Sequence, residues 1–270
     1  MALKIKDIDE TQAPLLDHLI ELRSRLLKSV FALALAFGVC FYFAGDILGF
    51  LVRPLTEAFP EGQGKLIFTQ LYEVFFVELK VALFAAFFVS FPIIANQLWA
   101  FIAPGLYAKE KKAFLPFLFA TPILFTGGGA LAYFVVMPIA FRWFLGFQGE
   151  VGGLDVEALP SAGAYLGLAM QFILAFGVSF LLPVLLLLLN RAGIVTREQF
   201  AKSRRYVIVG VVTVAAIVTP PDPGSQLILA VPLYLLFEGA LLLMWIGERR
   251  QAGQADDLES AAGAEENSAK

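Results

Sequence analysis

Six stretches of this chain, at about 29–44, 74–97, 114–137, 162–189, 206–219 and 227–246, are apolar and almost free of charge. About 20 mostly apolar residues cross the roughly 30 Å of hydrocarbon in a bilayer, and these runs reach or approach that length. Lipid offers the backbone no water to bond with, and each unpaired amide or carbonyl costs several kcal/mol, so a spanning segment must be a helix or part of a closed barrel. The period-two alternation of barrel strands is absent. Composition agrees. Of 270 residues, 59% are hydrophobic and 16% charged, with a mean hydropathy of +0.77, against about 25% charged residues in soluble domains. The expected fold is an all-α integral membrane protein of six transmembrane helices, the last two short.

Lysine and arginine set the orientation. With the N-terminus inside, the inner segments 1–28, 98–113, 190–205 and 247–270 hold 5, 3, 5 and 3 basic residues, 16 of the 20. Both termini are therefore expected in the cytoplasm. Residues 1–28 form a charged, amphipathic N-terminal helix, 29–246 the six-helix membrane domain, and 247–270 an acidic tail without periodicity that reads as disordered. The first 28 residues are too charged for the apolar core of a cleavable signal peptide, so the first span is expected to act as its own insertion signal. The outer loops "RPLTEAFPEGQGKL" and "QGEVGGLDVEALPSAG" read as ordered but irregular. Cys40, the single cysteine, lies in an apolar run and reads as a small core residue.

The fifth run has 14 residues, and at about 1.5 Å per residue it reaches only about 21 Å. It stops at "TPPDPGSQ", where prolines end the helix and Asp222, Ser225 and Gln226 make a polar tip. Such an arm leans on longer neighbours, thins the bilayer, or does both. The sixth run carries Pro232 and, near its middle, Glu238. A charged acid at a helix centre costs roughly 2.5–3.5 kcal/mol on insertion scales, so Glu238 should face protein or water, or stay protonated; a mostly neutral resting acid is expected. Gln171, deep in the fourth run, suits an interhelical hydrogen bond.

Charge crowds at the threshold of the first span, in "DHLIELRSRLLK" (17–28). Leu15, Leu19, Leu22 and Leu26 make one helical stripe, and Pro14 suits a first turn. Glu21 can pair with Arg25, four residues on. Between the second and third spans, "NQLWAFIAPGLYAKEKKAF" supplies Trp99, Phe101 and Tyr107 as interfacial anchors, a helix break at Pro104-Gly105, and Glu110 among three lysines. Glu110 reads either as a solvated loop residue or, with Glu21, as half of a receiver for a cation. Arginine suits such a receiver, because its planar fork binds carboxylates bidentately.

The stretches "HLIELRSRL" (18–26), "LWAFIAPGLYAKEKK" (98–112), "AYFVVMPIAF" (132–141), "AFGVSF" (175–180), "TPPDPGSQ" (219–226) and "VPLYLLFE" (231–238) resemble the TatC family, the multispanning subunit of the twin-arginine protein translocase. The likeness runs from about residue 14 to 246. It implies a receptor in the bacterial inner membrane that binds twin-arginine signal peptides of folded cargo at the cytoplasmic face. It also implies association with single-span TatA- and TatB-like subunits, self-association, contact with membrane lipid, and export driven by the proton-motive force without ATP. By position, Glu21 and Glu110 fall on the family's signal-peptide acids, and Leu22, Arg23 and Phe101 on surrounding contacts, with Arg23 as a structural partner that fixes the carboxylates. Pro54 in the first outer loop, Gln171, Asp222, Gln226, Pro232 and Glu238 fall on architectural or partner-facing positions. Two departures stand out. Leu181, in "SFLLPV", occupies a place where many relatives carry an acid, and Gln171 lies ten residues away, about 15 Å along a helix. Gln70 also stands where an outer-loop acid is common.

Other classes fare worse. The only histidine, His18, lies outside the spans, so neither a zinc-protease HExxH helix nor a serine–histidine pair can form in the membrane. Two-histidine haem ligation is excluded likewise. No cofactor, metal or nucleic-acid partner is indicated. A small-solute secondary transporter is the stronger rival, since the run 127–129 of glycines and several prolines could break helices around a substrate. Sparse deep charge and missing repeat symmetry speak against it. A purely structural scaffold would leave charge changes at Glu21 and Glu110 silent.

Overall fold

A computed structural model of the protein describes residues 9–60, 64–106, 111–191, 193–219 and 223–268. In chain order these form α1 (Asp9–Tyr42), α2 (Ala44–Thr56), α3 (Glu73–Leu106), α4 (Lys111–Leu131), a π-helical turn (Ala132–Val136), α5 (Met137–Leu145), strands β1 (Gly149–Val151) and β2 (Leu154–Val156), α6 (Ala162–Ser179), α7 (Leu182–Arg191), α8 (Arg197–Lys202), α9 (Arg204–Val218) and α10 (Pro223–Ser268). Among the described residues, five segments are long and apolar enough to cross a membrane: His18–Tyr42, Glu73–Phe101, Phe117–Leu145, Ala162–Arg191 and Gln226–Arg249. Their order follows the apolar runs of the sequence. The 15 residues of α9 reach only about 22 Å, and this helix lies against α10 and α6.

Small side chains bring the helices close, as they must where lipid supplies no hydrophobic drive to association. Cys40 and Ala44 meet Ala82 and Ala86 where α1 and α2 lie on α3. At the α4–α6 crossing, a Cβ added to Gly128 would lie 2.6 Å from the Phe176 carbonyl oxygen, and one added to Gly177 would lie 2.8 Å from the Phe125 ring. Gly128 and Gly177 therefore let two helices touch, and α4 runs through 127–129 unbroken. An aromatic layer follows, with Phe125 stacked on Phe91 at 3.7 Å. Trp99 belongs to this interior and is no interfacial anchor: it is 8% exposed, and its Nε1–H donates to Thr121 Oγ1 at 2.7 Å. Pro104 and Gly105 are still helical, within α3 as described to Leu106, so the chain does not break at them.

Pro54 is helical, not part of an irregular loop; it sits inside α2. Proline has no N–H to give the carbonyl four residues back, here that of Phe50. The Tyr133 hydroxyl donates to that oxygen at 2.6 Å, while its ring stacks on Phe50 at 4.3 Å. Tyr165 donates to the next carbonyl, Leu51, at 2.7 Å. Tyr133 itself lies in the π-helical turn. Pro138 at the head of α5 cannot bond Phe134, and the wider register, with Met137 N–H on the Ala132 carbonyl, absorbs the loss. Removing the Tyr133 hydroxyl by Tyr133→Phe should cost about 1–3 kcal/mol, because it orphans a half-buried carbonyl. Thermal unfolding in detergent reads this, and the penalty should shrink in a Pro54→Ala background, where the restored amide can serve Phe50 instead.

The segment between α5 and α6 contains a β-hairpin where irregular chain is expected. β1 and β2 pair antiparallel around Gly152 and Gly153, whose φ values are +62° and +86°, the left-handed pair a two-residue turn requires. The tail continues α10 as helix to Ser268. Its Ala, Glu, Gln and Leu are good helix formers, and α10 supplies the nucleus that an isolated segment would lack.

Candidate functional site

The charged threshold lies on α1, which runs without interruption from Asp9 into the first span. Its start precedes Pro14 by five residues. His18 stacks on Phe101 of α3, centroids 4.3 Å apart and planes inclined by 17°. That contact ties the charged part of α1 to the last turns of α3, nine residues before Glu110 in the sequence. Glu110 lies outside the described residues, as do Tyr107 and Asp222. Lys111, the next residue after Glu110, begins α4.

Glu21 stands one turn beyond His18, on the same face. Arg25 donates to its Oε1 from Nε at 2.9 Å and from Nη2 at 2.5 Å. The two side chains are 37% and 24% exposed, so water still screens the pair, and such pairs contribute about 0–1 kcal/mol. Arg25, not Arg23, fixes this carboxylate. Residues two apart lie on opposite sides of a helix, whereas residues four apart meet, and Arg23 is exposed. Leu22 is also exposed, at 41%, and Phe101 is half-buried. The geometry is thus a guanidinium resting lightly on a carboxylate, which a second guanidinium can share or exchange.

Polar side chains at the other end gather around α9. Gln171 of α6 donates to the Ile217 carbonyl at 3.2 Å, one of the last four carbonyls that a helix leaves unpaired. Gln226 of α10 donates to the Val212 carbonyl at 3.1 Å. Leu181 sits in the turn between α6 and α7, half-buried against the aromatic layer. Pro232 and Glu238 do not share a face. Pro232 lines a groove between α4, α7 and α10. Glu238 meets Arg204, whose Nε and Nη2 donate to Oε1 and Oε2 at 2.8 and 2.9 Å, and Tyr234, which donates to Oε1 at 2.7 Å. A two-pronged contact of this kind belongs to an ionised carboxylate, not to the neutral acid expected from the sequence. The pairing of α9 with α10 explains it. With α9 so short, its first residue comes level with the middle of the sixth run.

Glu73 escaped sequence analysis. Its Oε2 accepts from Thr69 N at 2.7 Å and from Thr69 Oγ1 at 2.9 Å, and its Oε1 from Gly163 N at 2.8 Å. It clasps the first outer loop to the head of α6, 90 residues away. An acid in the first turn of α3 was the available signal, but the partner across the fold was not.

The arrangement has known relatives. A family model described as "Sec-independent protein translocase protein (TatC)" matches residues 17–232. The chain is 46% identical over 258 residues to "Sec-independent protein translocase protein TatC" of Magnetococcus marinus, covering 96% of this chain and 93% of the relative. It is 41% identical over 231 residues to the protein of the same name from Escherichia coli K12, covering 86% and 87%. Among solved structures it resembles "Crystal Structure of Twin Arginine Translocase Receptor- TatC", with a TM-score of 0.74 and 37% identity over 85% of this chain and 98% of that one. With five apolar helices of spanning length in a fold matched by that receptor, this multi-pass membrane protein belongs to the TatC family of Sec-independent protein translocase components.

Proposed function

We propose that this chain is the receptor of a twin-arginine translocase and captures paired-arginine signal peptides at its basic end. Glu21 and Glu110 receive the two guanidinium groups, with Leu22 and Phe101 flanking them. The single observation that carries this is the Glu21 carboxylate. It is half-exposed, bonded to Arg25 through one oxygen, and held beside the α1–α3 contact of His18 with Phe101. An incoming arginine can take a bidentate place there that a lysine ammonium cannot. In this reading α9 is a sixth, short crossing and both termini lie in the cytoplasm of a bacterium. Single-span TatA- and TatB-like subunits lean on α9 and α10, near Gln171, Gln226 and Asp222. Export draws on the proton-motive force.

Photo-crosslinkers at positions 21 and 110, each in a separate protein, test this directly. Both should label the signal segment of a precursor carrying paired arginines, and labelling should drop when the pair is lysine. Equal labelling of both precursors would remove the arginine specificity.

A further inference from the structure

Between α4, α7 and α10 lies an open groove of about 830 Å³. Phe117, Leu124, Val184, Leu187, Gly239 and Leu242 are among its walls, and every residue that lines it is apolar. Its basic end carries cations. Arg191 ends α7 four residues after Leu187, on the same helical face, and lays its guanidinium over the Phe117 ring at 5.4 Å. Arg249 stands two turns beyond Leu242 on α10, over Trp245 at 4.1 Å. The neighbouring acid, Glu248, is engaged by Arg197 at 2.8 Å. Basic residues at helix ends are ordinary in membrane proteins. Here, however, one of them rests on a ring that is itself a wall of the groove, so charge and apolar cleft form one surface.

Charge decides between two occupants. An apolar partner helix could cover the cleft but would bring no counter-charge to the guanidinium groups at its end. An acyl chain is thin enough to lie along the cleft, and the lipid that owns it ends in a phosphate that can meet the arginines. We propose that the groove seats an acyl chain of an anionic phospholipid whose headgroup phosphate is held by Arg191, with Arg249 beside it.

Native mass spectrometry of the full chain in detergent, with phosphatidylglycerol or phosphatidylcholine of the same chain length added, tests this. Phosphatidylglycerol should be retained in preference, and Arg191→Gln should lower that preference about fivefold, the contribution of one arginine near an anionic surface. Gly239→Leu addresses the cleft separately. A Cβ at Gly239 meets nothing within 4 Å, so the larger side chain fills the groove without disturbing the helices, and retention of both lipids should fall. Equal retention of the two lipids, or no change in either variant, overturns the proposal. So does a Gly239→Leu protein that keeps its lipid but no longer copurifies with a single-span subunit, since the groove would then be a seat for a helix.

Discussion

Replacing Glu21 with alanine should lower the affinity for a paired-arginine signal peptide about 30-fold, or about 2 kcal/mol, the low end of the range for losing one partner of a desolvated charge pair. The low end applies because Glu21 remains partly wet in the unbound protein and is already paired with Arg25. Exchange of one guanidinium for another is nearly neutral at a screened surface; the gain comes when the bound peptide excludes water. Adding Glu110→Ala should deepen the loss, though not additively, because in the proposed receptor both acids serve one ligand. Arg25→Gln supplies the discriminating control. If the Glu21–Arg25 pair merely stiffens α1, losing either member weakens capture alike. If Glu21 is the receiver, Arg25→Gln removes a competitor and capture does not weaken. Binding of a fluorescent signal peptide to the detergent-solubilised protein, with a melting curve for each variant, distinguishes the two. Equivalent losses at positions 21 and 25 would end the receptor role assigned to the carboxylate.

Gly128→Leu separates α4 from α6 and destabilises the fold by about 3 kcal/mol or more, at the top of the overpacking range. The first added atom would lie 2.6 Å from the Phe176 carbonyl oxygen and 2.8 Å from Phe180 Cγ. A side chain can swing away, but a helix carbonyl moves only with its helix. Gly127, one residue earlier, faces nothing within 4 Å, so Gly127→Ala is neutral or slightly stabilising, as expected for glycine to alanine in a helix. A melting temperature that drops for Gly128→Leu and holds for Gly127→Ala confirms close packing. Equal drops would mean that the glycines act through backbone flexibility, the behaviour a substrate-gating transporter needs.

That pair of neighbours shows what the sequence could and could not convey. Because lipid leaves the backbone so few options, apolar runs alone placed α1, α3, α4, α6 and α10 in order, and the shortness of α9 was legible as a count of residues. Which glycine of 127–129 touches α6 was not, since that depends on the rotation of two helices about their axes. The same holds for Trp99, whose type suggests an interface but whose face points at Thr121. Pro54 was recognised as special, yet its reason, a carbonyl on Phe50 served by Tyr133, depends on a residue 83 positions from Phe50. At the basic end, the helical period gave the Glu21–Arg25 pair, while the stacking of His18 on Phe101 required the fold. Glu238 was visible as an anomaly, but its partner Arg204 followed only once the hairpin's arms were aligned.

The unbroken course of α1 has a mechanical consequence. Its 34 residues make a rod about 51 Å long, with the acid that meets Arg25 about a third of the way along it and Cys40, packed on Ala82 and Ala86 of α3, near the far end. A continuous helix resists bending locally, so a load on the charged turn is carried along the rod toward that contact. α1 also packs along α3 and is stacked on it where His18 meets Phe101, so a pull at the charged turn would be shared between two helices along one seam, with every backbone hydrogen bond of the rod kept.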